Sequence, residues 1–302
     1  MSAVQSAGSK RFAPLAWRSI ATAITAIGVA SIAQAATVIE FAQMESMPSG
    51  NWAIGGQSGG KVAIATDTNA TLNHSRGSLM ANYPVSIGGV YAWGTYDVSR
   101  LNTSDLYIDF WAKMPAAKQG LKFLKVFGAS SGSNNYANTT FALDYTGGDN
   151  GAMYQVSFGD GSATANDTAQ VINFDGSNPS WIGRSAGKAT VLTPQKRSFR
   201  SSDWGTSWHH FKMRVKFNSG NSASTEVADG AYYVEIDGKV YVDAKGLFNR
   251  HYSNGPIARV ELFGWAQSGT TPFEIWYDDV RITTGGFVDT IKPAPPTSVQ
   301  AN

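Results

Sequence analysis

The chain reads as an all-β sandwich, and three observations carry that reading. Charged residues make up only 15% of it, and short stretches of Val, Ile, Phe, Tyr and Trp alternate with clusters of Gly, Ser, Thr and Asn. Beyond the first 35 residues, no stretch sustains an apolar period of 3.6 residues, while several show a period of two. No internal repeat is evident.

The N-terminal segment stands apart. Lys10, Arg11 and Arg18 precede an apolar run from Ile20 to Ile32, and Ala33-Gln34-Ala35 supplies a small-x-small cleavage pattern. These features predict a signal peptide over residues 1–35, cleaved after Ala35, and hence a secreted, extracellular or periplasmic protein. The run falls short of the roughly 20 residues that cross a bilayer, so no membrane span is expected in the mature chain. Removing 35 of the 302 residues leaves 267, with 21 basic against 22 acidic side chains. A near-neutral chain has no overall electrostatic case for nucleic acid or an anionic membrane. Cysteine is absent, which excludes disulfides and thiolate metal sites.

Residues 36–288 are expected to form one domain, a size that large sandwiches reach unsplit. Leu106, Ile108 and Phe110 alternate with Tyr107, Asp109 and Trp111. Phe211, Met213, Val215 and Phe217 alternate with His210, Lys212, Arg214 and Lys216. Both patterns suit strands with one buried face. Further strands are expected at Lys122–Phe127, Thr140–Tyr145, Tyr154–Phe158, Arg259–Phe263 and Phe273–Thr283. The runs 232–236 and 239–242 flank Asp237-Gly238, a dipeptide suited to a two-residue hairpin turn with positive φ. The polar segment from Asp160 to Trp204 lacks strong periodicity and reads as a long loop, a place where function concentrates. Residues 289–302 are Pro-rich and read as a tail or linker.

Trp208-His209 ahead of Phe211, Met213 and Val215 resembles a strand opening of the concanavalin-A-like jelly-roll superfamily, which includes lectins, laminin-G-like modules, glucanases and polysaccharide lyases. Asp229-Gly230 with the Val234–Gly238 hairpin, the Phe273–Ile282 strand with Asp278-Asp279-Val280, and Gly77-Ser78-Leu79 are similar to its other strands. The resemblance covers most of Thr37 to Gly286. It implies a jelly-roll β-sandwich of two curved antiparallel sheets whose concave sheet holds a glycan. The tail Lys292–Thr297 looks like the lead-in to a fibronectin-type module. The Glu-x-Asp-x-x-Glu run of family-16 glucanases is missing, as are the Arg-(Ser/Thr)-Glu-x-Arg and Gln-(Ile/Val)-His motifs of the commonest alginate lyases. A paired-carboxylate hydrolase is therefore disfavoured.

The candidate chemistry divides into three sets. His210, Lys212, Arg214 and Lys216 share one strand face, about 7 Å between successive members. That stripe suits the carboxylates or sulfates of an acidic polysaccharide. In a lyase, His210 and Arg214 would serve as base and carboxylate neutraliser, with Tyr154 as proton donor; the competing reading is an ordinary solvated face. His209 counts inward with Phe211 and reads as a structural, hydrogen-bonded histidine. Tyr91, Trp93, Trp111 and Trp181, with Tyr96 and Trp265, are candidate sugar-stacking platforms, against core or rim packing. Lys122 and Lys125 face opposite sides unless a bulge intervenes, and one of them is expected near the glycan. Glu45 and Asp279 resemble a calcium pair of related domains, and a structural Ca²⁺ would need backbone oxygens to complete its shell. Asp160 is the alternative ligand, or an Asx turn. No zinc spacing, phosphate loop or nucleophile elbow appears. The sequence therefore points to a secreted domain that binds a polysaccharide. The alternatives are a lyase cleaving a uronate-containing glycan by β-elimination and a structural surface or adhesion domain.

Overall fold

A computed structural model describes residues 35–66, 77–85, 88–113, 121–129, 139–146, 153–157, 171–173, 181–185, 188–191, 207–222, 224–250, 255–266 and 272–288, with strand assignment alone for 121–122 and for those between 139 and 191. The expected leader and the tail from 289 onward lie outside the described residues. Seventeen strands are present among these residues. They are β1 (Thr37–Ala42), β2 (Trp52–Gln57), β3 (Lys61–Ala65), β4 (Ser78–Tyr83), β5 (Val90–Asp97) and β6 (Asp105–Lys113). Then come β7 (Leu121–Gly128), β8 (Thr139–Thr146), β9 (Met153–Ser157), β10 (Val171–Asn173), β11 (Trp181–Ser185) and β12 (Lys188–Val191). The chain continues with β13 (His209–Lys216), β14 (Gly230–Ile236), β15 (Lys239–Leu247), β16 (Ile257–Ala266) and β17 (Phe273–Thr284).

An eight-stranded antiparallel sheet runs β15-β14-β13-β6-β17-β4-β3, with β1 also paired to β17. A seven-stranded sheet runs β10-β9-β8-β7-β16-β5-β2. The long strand β17 lies along β6 on one edge. Its other edge is shared by β4, over Phe273–Tyr277, and β1, over Val280–Thr284. The β14–β15 turn is made by Asp237 (φ 51°) and Gly238 (φ 74°), the positive-φ pair that a tight hairpin requires.

Strict alternation builds the core. Leu106, Ile108 and Phe110 of β6 and Phe211, Met213 and Val215 of β13 are fully buried. Phe110 stacks on Phe211 at 5.0 Å and meets Tyr277 at 5.4 Å. From the seven-stranded sheet, Phe123 and Phe263 reach Tyr277 at 5.2 Å and 4.7 Å. Such pairs each add about 0.5–1.5 kcal/mol beyond burial.

Two of the register shifts in the seven-stranded sheet shape its outer face. In β7 the register with β8 shifts between Lys122 and Leu124, and Phe123 and Leu124 are both buried. In β16 the register with β7 shifts between Leu262 and Ala266, where Phe263 (φ 65°) and Gly264 (φ 149°) leave the usual strand region. Both bulges are tied to the opposite sheet by buried tyrosines. The Tyr277 phenol donates to the Phe123 carbonyl at 2.6 Å. The Tyr83 phenol donates to the Gly264 carbonyl at 3.0 Å and accepts its N–H at 3.2 Å. Burial raises the Tyr83 phenol far above its ordinary range, so its proton stays available for that bond.

One expectation needs correcting. The segment from Asp160 to Trp204 is not one long loop, because it carries β10, β11 and β12, the last two forming their own hairpin sheet. Strands of three to five residues are too short to print a period of two.

Candidate functional site

The two sheets expose outer faces of different kind. On the eight-stranded sheet, the stripe of His210, Lys212, Arg214 and Lys216 faces outward, half-buried, opposite the core residues of β13. Three of its four members contact acid. His210 Nε2 lies 2.7 Å from Asp109 Oδ1. Arg214 donates to both oxygens of Asp105, at 2.9 and 2.6 Å, and that bond holds the guanidinium pKa above its usual value. Lys216 reaches Asp229 at 3.3 Å. Lys212 stands in register between Glu235 and Asp109, and Arg281 follows Asp109 on the next strand. The row therefore alternates in sign across four strands.

The lyase trio must be corrected accordingly. His210 and Arg214 stand on the outer face of the eight-stranded sheet, whereas Tyr154 belongs to β9 of the seven-stranded sheet. Its side chain lies outside the described residues. Trp111 is also on the eight-stranded face, stacked on His210 at 4.8 Å. Lys113 sits between Trp208 (5.3 Å) and Trp276 (4.9 Å). Phe287 packs edge-on against Tyr107 at 5.0 Å. His209 is buried, with Nδ1 2.7 Å from Asp237.

On the seven-stranded sheet, β5 alternates Val90, Ala92, Gly94 and Tyr96 inward with Tyr91, Trp93 and Thr95 outward. Tyr91 and Trp93 are 5.0 Å apart. The Tyr91 phenol donates to Glu261 Oε1 at 2.7 Å and accepts from Lys125 Nζ at 3.4 Å. Lys125 also forms a salt bridge with Glu261, both side chains nearly inaccessible, at 6% and 4% exposure. Lys125 Nζ lies 5.0 Å from the Tyr91 ring centre, and Arg259 caps Phe127 at 4.0 Å.

Two glycines bring indoles down onto this face. A Cβ at Gly55 would stand 2.3 Å from the six-membered ring of Trp93, and one at Gly89 only 2.5 Å from Trp265 Nε1. Each tryptophan thus occupies space that any other residue at 55 or 89 would fill. Trp265 pairs in register with Tyr91, so Trp93, Tyr91 and Trp265 form one half-exposed aromatic patch beside the buried ion pair. Sequence reading singled out the aromatics and Lys125 but not Glu261, which sits more than 130 residues further along the chain. The bulge that the Lys122–Lys125 question turned on is present at Phe123; the Lys122 side chain lies outside the described residues. Trp181 begins β11 in the separate hairpin, and its side chain is likewise outside them.

Near the chain start, Asp278 is fully buried on the outer side of β17. It accepts the Ser78 hydroxyl at 3.2 Å and the Asp279 amide at 2.8 Å. Asp279 is half-buried with φ 46°. The Glu45 backbone lies beside Gly77, its carbonyl oxygen 3.3 Å from where a Cβ would stand. Among the described residues no three His, Cys, Asp or Glu side chains cluster as a metal site. The donors present are hard oxygens of the kind Ca²⁺ takes, with carbonyl and hydroxyl groups needed beside the carboxylates.

No protein-family model matches the chain, and no curated protein matches it. Among solved structures it is similar to an endo-β-1,4-glucuronan lyase from the fungus Trichoderma reesei. The TM-score is 0.53 at 10% identity, covering 82% of this chain and 95% of that one. The alginate lyase vAL-1 from Chlorella virus gives a TM-score of 0.48 at 13% identity, covering 82% and 99%. The cellulose induced protein Cip1 gives 0.44 at 14%, covering 77% and 90%. At such identities the likeness speaks to architecture: the chain folds as a jelly-roll β-sandwich of two curved antiparallel sheets, an architecture it shares with the glucuronan lyase.

Proposed function

We propose that this protein binds a polysaccharide on the outer face of its seven-stranded sheet. The observation that carries the reading is the patch of Trp93, Tyr91 and Trp265, its two indoles seated over Gly55 and Gly89. Sugar C–H faces pack on aromatic rings at little desolvation cost, and all three rings are half-exposed. In the same reading the chain works outside the cytoplasm after cleavage behind Ala35. N-terminal sequencing of exported material that returned Met1 would remove that part.

The test is calorimetric titration with a panel of neutral and uronate-containing oligosaccharides. Trp93→Ala is expected to weaken binding by about tenfold, in line with about 0.5–1.5 kcal/mol for an aromatic contact in addition to its burial. Arg214→Ala, on the other sheet, should leave affinity unchanged. Binding that survives loss of Trp93 and fails without Arg214 would move the site to the other face.

A second reading has one observation in its favour. The Tyr91 phenol is within hydrogen-bond reach of both a carboxylate and an ammonium group, the setting in which a phenol relays a proton. In a β-elimination the C5 proton would leave to a base, the C4–O bond would break, and a C4=C5 double bond would form. Ultraviolet absorbance from that double bond, lost in Tyr91→Phe, would establish a lyase; no absorbance on any glycan that binds would leave a binding domain.

A further inference from the structure

We infer that the aromatic face selects a neutral glycan over its uronate counterpart, and that Glu261 is the residue that sets this preference. The inference rests on the binding reading above. Its first support is the charge of the floor. Lys125, a cation that would attract a uronate carboxylate, is joined to Glu261, and Glu261 also takes the Tyr91 phenol proton in a hydrogen bond. Both members of the pair are nearly inaccessible, so solvent screens them little, and the pair presents no net charge. Further along the face, Arg259 stands opposite Asp97 in register. Among the described residues, Lys125 and Arg259 thus each have an acid opposite them in the ladder.

The second support is the shape beside Trp93. Ladder counting places residue 263 opposite Trp93, where its side chain would stand on the outer face. Phe263 instead adopts φ 65° and turns its ring into the core against Tyr277, where it is fully buried. A bulky residue at positive φ is a backbone outlier, and such strain gathers at binding and switch sites. The result is a position flanked by Glu261 and Trp265 on β16 and by Trp93 on β5 that holds no side chain from its own strand. A sugar stacked on Trp93 can lower its C5 substituent into that position. With Lys125 neutralised by Glu261, a hydroxymethyl group enters that position without the desolvation cost that a uronate carboxylate would carry.

The test uses two oligosaccharides of one length and linkage that differ only at C6: a β-1,4-glucose hexamer and a β-1,4-glucuronate hexamer. Wild-type protein is expected to bind the neutral hexamer at least about tenfold more tightly, with little dependence on salt. Glu261→Gln exposes the Lys125 charge, so the uronate hexamer should gain affinity by about tenfold and become salt-sensitive while the neutral one changes little. Should Glu261→Gln fold poorly, the double variant Lys125→Met with Glu261→Gln restores neutrality and is expected to keep the wild-type preference. A wild-type protein that favours the uronate hexamer overturns the inference while leaving glycan binding intact. Binding of neither hexamer nor any other glycan removes the reading beneath it and this inference together.

Discussion

The outer faces of the two sheets hold the same residue types and use them differently. On the eight-stranded face, charges alternate from strand to strand and the aromatics stack among them, with Trp111 on His210 and Lys113 between two indoles. His210, Arg214 and Lys216 there are each held by an acid from another part of the chain. On the seven-stranded face one ion pair is buried, and the large rings lie over glycines instead of against each other's charges. The first face is a closed network, typical of a wet sheet surface. The second keeps its two indoles half-exposed over glycines, with Lys125 and Arg259 set against Tyr91 and Phe127 beside them. A stripe of one residue type along a strand thus says little until the strands beside it are known.

The largest expected effect tests that contrast directly. Lys125→Ala leaves Glu261 buried without its cation and should cost about 3–5 kcal/mol, whereas Lys125→Met with Glu261→Leu should cost far less; chemical denaturation reads both. Next comes Asp278, the fully buried carboxylate of β17. If Ca²⁺ is held by Glu45, Asp278 and Asp279 with neighbouring backbone oxygens, ion at a hundredfold its Kd adds about 2.7 kcal/mol. Superimposable melting curves with Ca²⁺ and with chelator, for protein prepared metal-free, would dismiss the ion. Tyr83→Phe strips the partner from both polar groups of Gly264 and should cost about 1–3 kcal/mol. It should also weaken glycan binding through the relaxed bulge, an effect absent from an equally destabilising change on the other face.

Smaller still is Arg214→Ala. Its ion pair with Asp105 is about one-third exposed, so a loss of about 1 kcal/mol or less is expected; a markedly larger loss would mean that the closed network carries more of the fold than its exposure suggests. The smallest effect is a pH dependence. Burial alone would raise the Asp237 pKa, but hydrogen bonds from His209 and the His210 amide, with the nearby ring charges, outweigh it and hold the carboxyl below its usual value. A depressed carboxylate stabilises the fold above the unfolded value of about 3.9 and loses that contribution as pH falls through the folded value. Melting scans between neutral pH and pH 3 should therefore show a shallower acid decline for Asp237→Asn than for wild type.

The architecture was legible because alternation at Leu106–Phe110 and Phe211–Phe217, with the Asp237-Gly238 turn, is a local signal. Much of the site was not, for reasons that are physical. The acids that neutralise His210 and Arg214 arrive from β6, about 100 residues earlier. Alternation counting assumes a regular ladder, so it could not foresee that Phe263 turns inward or that β7 slips at Phe123. Gly55 and Gly89 carry no local mark of the indoles that rest on them. Tyr91 and Trp93 could be picked out because outward aromatics on a strand announce themselves; Glu261 could not, since its meaning lies wholly in Lys125.

The position of β17 has a consequence for how the molecule is made. This strand is the last of those described, yet it lies inside its sheet, joining β6 to both β4 and β1. Until Thr284 has left the ribosome, the eight-stranded sheet lacks the strand that pairs its fragments β15-β14-β13-β6 and β4-β3 with each other and with β1. A nascent chain must therefore stay open almost to its end, and closure must pair segments some 200 residues apart, a slow search by the usual dependence of rate on contact separation. Truncation just before Phe273 would not trim an edge but divide the eight-stranded sheet.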